Sequence, residues 1–359
     1  MKNEKNLTHR PLSEHVFHPN SFMVGDCDPT ILHDDIPEIL RRVYSFDSSF
    51  VGEGVRIAIV CALDDVALQQ NMDVFCQRFG LEKTGISVFY PFGRTEDTSD
   101  GWLLESSLDT QWIYVFAPKA KMNVVFSKDS SVTSLLDAAE YAQKTLSADI
   151  ICMCFGTDES ASDGVLSGFM NDGKIFVSSS GDVGGSVSFP SSSPCCISVG
   201  GTDLSTLSGK RYSETAWKNT GGGKSDVFDI PFYQGRFFNI YGKSLGMRGT
   251  PDVSMCANYS AGVPVYVSQL GGWKMVSGTS LSASCFAGIC ACIKQKHPEI
   301  VTSEDMLSYL YNKAGGDGYA FPQYDFYDIT VGRSGENYAE RGWDFATGLG
   351  SPVIRQLLL

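Results

Sequence analysis

The sequence predicts an α/β fold, one domain built on a parallel sheet with helices on both faces. Three observations carry that prediction. Continuous apolar runs of strand length recur through the first two-thirds of the chain, segments with helical periodicity separate them, and no disordered linker long enough to divide domains interrupts the 359 residues. A chain of this length can bury one large core.

The elements follow in order. "VRIAIVCAL" (55–63) predicts a strand and "VALQQNMDVFCQRFG" (66–80) a helix ended by Gly80. "GISVFYP" is a short strand, and "WLLESSLDTQWIYVFAP" (102–118) a helix stopped by Pro118. "KMNVVFS", a helix over 131–146, the strand "ADIICMCFG" and a helix near 161–172 come next. The strands "KIFVSSSGD" and "CCISVGGT" complete the alternation. From about 203 to 275 the chain reads as loop-rich, and helices are expected over 279–296 and 303–314 before an irregular Gly-, Asp- and Tyr-rich tail. The first 50 residues are more polar and are expected to wrap the outside of a main domain spanning 51–359.

Charge and composition narrow the function. Lys and Arg number 28 against 41 Asp and Glu, a net of -13, which argues against nucleic acid as a partner. No run of about 18 apolar residues predicts a membrane span. The start, "MKNEKNLTHRPLSEHVFHPN", lacks the apolar core of a signal peptide. Most of the eleven cysteines sit in apolar runs such as "IICMCFG" and "CFAGICACI", where cysteine acts as a small hydrophobe, and their spacing is not that of a zinc knuckle. Together these features lead us to expect a reducing, cytoplasmic location.

The stretch "VSGTSLSAS" (276–284) reads as a loop turning into a helix with Ser280 at the turn. A serine hydroxyl is a weak nucleophile until a base removes its proton. Four of the five histidines, His9, His15, His18 and His33, lie in the N-terminal segment, and His297 ends a helix, so none stands where a Ser-His-Asp protease would need it. The base must then be a carboxylate, a lysine or nothing at all, and the best carboxylate candidates follow. Glu105 and Asp109 are four residues apart, one turn along one helix face, among Trp102, Leu103, Leu108, Trp112 and Ile113. Two close acids at a partly dry site cannot both ionise easily, so at least one pKa rises toward the range a general base needs. Asp182, in "VSSSGDVGG" (177–185), lies where an apolar strand runs out into small residues, the end of a parallel strand that holds ligands in α/β sheets. A protonated aspartate there can donate to a developing oxyanion, or it can simply cap a turn.

Glu-x-x-x-Asp, then Ser-Gly-Asp-x-Gly, then Ser-Gly-Thr-Ser opening a long helix, in that order, resembles the sedolisins, the serine-carboxyl peptidases that include lysosomal tripeptidyl peptidase. The likeness runs from "DDIPEILRRVYSF" to the C-terminus and includes "AWKNTGGGKSDVFDIPFYQ", "RGTPDVSMCANYSAGVPVY", "FPSSSPCCISVGGTDL" and "GWDFATGLGSP". The resemblance implies a subtilisin-like fold, Ser280 as nucleophile, Glu105 as general base, Asp109 as the residue that orients and tunes it, and Asp182 as oxyanion partner. It also implies that Gly221, Gly222 and Gly223 form part of a peptide groove. One structural Ca2+ would sit in a loop at about 325–346, on the carboxylates of Asp328 and Asp344 and the backbone oxygens of Ile329, Glu340 and Gly342. Hard oxygen donors suit calcium rather than zinc.

The chain departs from the family in three ways: it begins without the usual prodomain or signal, it is rich in cysteine, and Ser284 stands where the family has proline. The first leaves room for a separate inhibitor or chaperone. The expected activity is hydrolysis of peptide bonds in peptide or protein substrates through an acyl-enzyme. The alternatives are a catalytically silent peptide-binding relative and a peptidyl transferase on the same fold.

Overall fold

In a computed structural model the described residues are 16–28, 35–160, 163–171, 173–240, 245–259, 262–315 and 324–359. The predicted His9, His15 and His33 lie outside them. An eight-stranded sheet runs Lys210–Ala216, Ile197–Leu207, Ile175–Ser179, Ile150–Met153, Arg56–Ala62, Lys121–Ser127, Ile86–Phe89, and Val253–Tyr259 also pairs with Ile197–Leu207. Every pairing is parallel except that of Lys210–Ala216, which returns antiparallel through a tight turn. Central strands such as Ile57–Ala62 and Ile150–Met153 are buried along their whole length. That is why they read as unbroken apolar runs rather than as alternation.

Two helices carry the site. Asp100–Phe116 starts at Ser99, whose hydroxyl accepts the Trp102 N–H, and stops before Pro118. Thr279–Lys296 follows Gly278 and ends at His297 ahead of a proline. The two pack on one another, and every residue from Trp102 to Phe116 and from Thr279 to Ile293 is buried. Neither helix has a solvent face over these residues, so their polar side chains, Glu105, Asp109 and Ser280 among them, are held inside the protein.

Three expectations need correction. Residues 203–275 are rich in strands rather than loops: Lys210–Ala216, Gly223–Asp229, Met247–Thr250, Val253–Tyr259, Val263–Val267 and Gly272–Ser277, with a helix at Phe232–Ile240. The strands are short and set close together between glycines, which hid their period. The helix near 161–172 shrinks to Asp163–Leu166 and a 3-10 turn at Gly168–Asn171, where two glycines weaken helical propensity. The "ADIICMCFG" strand breaks at Cys154. Ile150–Met153 stays in the main sheet, while Phe155–Asp158 leaves it to pair antiparallel with His18–Pro19 and Ser188–Phe189.

The N-terminal segment does not only skirt the surface. Phe17 and Tyr44 are fully buried, and Phe22–Asp26 pairs antiparallel with Gly272–Ser277, the strand that leads into Ser280. All eleven cysteines are free thiols, nine of them buried.

A buried ion pair fixes the start of the Val253–Tyr259 strand. Arg248 donates to both oxygens of Asp252 at 2.7 and 2.6 Å, and Asp252 also accepts the Ser198 N–H and the Tyr311 hydroxyl. Removing one partner strands a charge in the interior. Asp252→Ala should therefore cost about 3–5 kcal/mol of folding stability, read as a lowered urea midpoint at unchanged slope.

Candidate active site

Gly278 makes the turn into the Thr279–Lys296 helix, at φ +148. A Cβ there would overlap the Asn20 carbonyl and lie 2.8 Å from Asp182 Oδ2, so only glycine lets three backbone segments meet at this point. Ser280, second in the helix, is fully buried. Its hydroxyl donates to the Cys154 carbonyl at 3.1 Å, and the same hydroxyl acts to lower the pKa of Glu105.

Glu105 and Asp109 face the Ser280 helix one turn apart, both fully buried. Burial holds the Glu105 carboxyl well above its usual range, the neighbouring Asp109 adds to this, and hydrogen bonds from the Ser21 and Ser280 hydroxyls act against it. Burial raises Asp109 to about 7, with hydrogen bonds from Ser284 and Cys154 opposing. Asp182 is also raised to about 7 by burial, offset by the Thr279 N–H and hydroxyl, which reach its Oδ1 at 2.8 and 2.7 Å. Among the described residues no Lys, Arg or His offsets the burial of these three acids. Each keeps one buried oxygen without a hydrogen-bond partner: Glu105 Oε1, Asp109 Oδ2 and Asp182 Oδ2. A buried acid with an unsatisfied oxygen and no cation is one that retains a proton near neutrality.

The structure thus brings together Ser280, Glu105, Asp109 and Asp182, all four expected from sequence. His18 has an exposed ring, and His297 caps a helix end beside Glu299 and Tyr309. Gly221 and Gly222 pack on the loop that carries Asp182, their N–H groups bonded to the Gly181 and Ser186 carbonyls. A side chain on either would run into the Ser180 or Phe345 carbonyl.

Other residues of the site were not anticipated. The Ser284 hydroxyl donates to Asp109 Oδ1 at 2.6 Å, so its replacement of the family's proline changes the surroundings of a catalytic candidate and not only the helix. The Cys154 thiol lies 3.4 Å from Ser284 Oγ and, with Ser284, acts to lower the pKa of Asp109. Glu105, Asp109 and Cys154 can bring one ligand atom each within 4.8 Å of one another. Burial pushes the Cys154 thiol well up, however, so it stays protonated and acts as a donor rather than as a soft metal ligand. One signal could have found Cys154: it sits where a central strand leaves a parallel sheet.

Residues 16–22 line this site. The Asn20 N–H donates to the Cys154 carbonyl at 3.1 Å, and the Asn20 carbonyl accepts the Ser280 N–H at 3.0 Å. Ser21 donates its hydroxyl to Glu105.

In the C-terminal loop, the Gly342 N–H reaches both oxygens of Asp328 at 3.2 Å, and the Glu340 N–H reaches Asp344 at 2.8 Å. Two partly or largely buried carboxylates therefore converge on the turn 340–342. Burial raises both, Asp344 to about 6. Ile329 beside them is fully buried.

A sequence model of the subtilase family matches residues 107–350. Kumamolisin of Bacillus sp. (strain MN-32) is 29% identical over 362 residues, covering 90% of this chain and 62% of its own length. Sedolisin of Pseudomonas sp. (strain 101) is 26% identical over 376 residues, covering 89% of this chain and 60% of its own. The chain thus spans about three-fifths of the length of these relatives. The solved structure of Pseudomonas sedolisin, a serine-carboxyl proteinase complexed with two molecules of pseudo-iodotyrostatin, superposes with a TM-score of 0.78 at 25% identity, over 90% of this chain and 96% of that one. With a parallel sheet of this topology and a serine at the head of its central helix, the chain belongs to the subtilase family and, within that fold, to the sedolisins.

Proposed function

We propose that the chain is a serine-carboxyl peptidase that hydrolyses peptide bonds through an acyl-enzyme. The observation that carries this reading is the meeting of a buried serine hydroxyl with two buried, cation-free carboxyls, where an imidazole base would otherwise stand. Ser280 Oγ attacks the carbonyl carbon while Glu105 accepts its proton. Asp109 holds a proton toward Glu105 and sets its orientation, and Ser284 and Cys154 position Asp109. The Ser280 N–H and the protonated Asp182, through its free Oδ2, hold the oxyanion. Gly221 to Gly223, behind the Asp182 loop, form a wall of the peptide groove. Glu105 returns the proton to the departing amine, and water then releases the acyl group from Ser280. The free thiols are consistent with a cytoplasmic site of action.

The C-terminal loop fits calcium. Its two acids converge on one turn, burial raises both, and among the described residues the donors of hydrogen bonds to Asp344 are backbone N–H groups and a hydroxyl. Asp328 and Asp344, with the carbonyls of Ile329, Glu340 and Gly342, would hold one ion. Its contribution is structural, neutralising the two acids.

Ser280→Ala should abolish hydrolysis of a peptide library while leaving the fold and calcium uptake intact. Hydrolysis at the wild-type rate would remove Ser280 from the role of nucleophile. Asp182 donates only when protonated, and its carboxyl is raised to about 7, so the rate should fall as pH rises through about 7. Asp182→Asn, an amide that donates at every pH, should move that alkaline limb upward. The Ser284 hydroxyl favours ionised Asp109. Ser284→Ala should therefore raise the pair's apparent ionisation and shift the acid limb to higher pH, with Ser284→Thr restoring it. Calcium at about a hundredfold over its Kd should add about 2.7 kcal/mol of stability. This would appear as a lower Tm on chelation, and Asp328→Asn should remove the difference.

A further inference from the structure

The chain has a net charge of -13, yet one of its surface clefts is lined by arginine. Arg41 and Arg42 stand in the last turn of the helix Ile36–Val43, and Arg355 in the C-terminal helix Ile354–Leu357. With Ser45, Ser48 and Glu38 they line a cleft of about 440 Å³. Main-chain bonds hold its walls together: the Ile354 N–H donates to the Tyr44 carbonyl at 2.9 Å and the Arg355 N–H to the Ser45 carbonyl at 3.1 Å. Ser45 itself sits at φ +55, a left-handed conformation uncommon for a residue with a side chain.

Cations elsewhere in the molecule are neutralised. Arg56, Arg94 and Arg248 each meet a carboxylate, at 3.5, 2.6 and 2.6 Å, as do Lys119 and Lys144 at 2.6 and 2.5 Å. Among the described residues no carboxylate pairs with Arg41, Arg42 or Arg355. Glu38 acts on Arg41 by charge, and Arg355 on Asp47, but neither acid comes within ion-pair distance of an arginine of the cleft. Arg41 donates its Nε to the Val115 carbonyl at 2.5 Å and lies over the Phe46 ring at 5.1 Å. These contacts fix the plane of its guanidinium and leave both Nη groups without a partner among the described residues. Three like charges around one cleft repel one another, and an anion between them removes that cost.

We propose that this cleft binds a small molecule bearing two or more phosphate groups, held by the guanidinium groups of Arg41, Arg42 and Arg355. The planar fork of arginine matches phosphate oxygens in pairs. Each phosphate carries roughly 1.5–2 negative charges near neutrality, so two of them balance three arginines and one carboxylate better than a single one does. The volume is that of a small-molecule site rather than of a lone ion. Ser45 and Ser48 add hydroxyl donors at its edge. The site stands apart from Ser280 and does not depend on the peptidase reading. Through Arg41 an occupant would bear on the last turn of the helix Asp100–Phe116, whose other turns carry Glu105 and Asp109.

The test is titration of the full chain with inorganic pyrophosphate, monophosphate and citrate in calcium-free buffer at fixed ionic strength, read by calorimetry and by Tm. Pyrophosphate is expected to bind one to one and raise Tm, with monophosphate and citrate each at least about tenfold weaker. Arg42 and Arg355 are exposed, so Arg42→Gln and Arg355→Gln should leave the Tm of the free protein unchanged. Each should weaken pyrophosphate at least about tenfold, the loss of a charge-assisted hydrogen bond. Arg42→Lys should restore only part of the affinity, because lysine keeps the charge and loses the fork. Lys121→Gln, on a separate cleft, should change nothing. No binding at about 1 mM pyrophosphate overturns the inference, as does binding that ignores the two arginine variants or falls equally in Lys121→Gln. Citrate binding as tightly as pyrophosphate overturns the assignment to phosphate.

Discussion

Three carboxyl groups buried without a counter-cation are the constraint on which this site rests. In water each would ionise near pH 4. In the dry seam between two helices and the ends of parallel strands burial raises all three, Asp109 and Asp182 to about 7, because the charged form is the more poorly solvated one. A carboxyl that ionises near the working pH can take a proton from a hydroxyl, and one that remains protonated can donate to an oxyanion. On the proposed reading the same side-chain type would serve as both base and acid, with geometry alone dividing the roles. Glu105 and Asp109 share a helix face opposite Ser280, while Asp182 is fastened by Thr279 through one oxygen and leaves the other free.

Such an arrangement carries a linked cost to folding. A carboxyl whose folded pKa exceeds its unfolded value binds its proton more tightly in the native state. Its burial is therefore harmless below the unfolded pKa, and stability is lost progressively as pH rises toward the folded one. For Asp109 and Asp182 that window runs from 3.8 to about 7. Hydroxyl and N–H donors moderate the loss. Ser284, Cys154, Ser21 and Thr279 each bond an oxygen that would otherwise face apolar surroundings, which is why the surroundings of these acids are rich in Ser, Thr and Cys rather than in basic residues.

What the sequence made legible was local. Helical spacing puts Glu105 and Asp109 on one face without reference to the rest of the chain, and the end of an apolar strand marks Asp182 as a ligand position. Completely buried parallel strands read plainly because covering both faces forces an apolar residue at every position. The partners of these acids were not legible, because they depend on distance in space. Ser284 lies 175 residues from Asp109 and Ser21 lies 84 from Glu105, and serines in polar company carry no periodic signal. The strands between 210 and 277 escaped notice for a related reason: each is only four to seven residues long, so glycine-rich turns outweighed their patterns. The N-terminal segment read as exterior from its composition, although Phe17 and Asn20 point into pockets.

The helix that carries Ser280 is enclosed on every side for its first fifteen residues, so it cannot tilt or slide without opening the core. Access to Ser280 is therefore governed by the N-terminal strand above it and not by the helix beneath. That strand is tethered to the same chain, and a short tether presents its occupant at an effective concentration on the order of millimolar. If the proposed activity holds, a free peptide would have to outcompete this local excess or wait for the strand to peel away, and turnover would begin with a lag that reports the lifetime of the tethered strand.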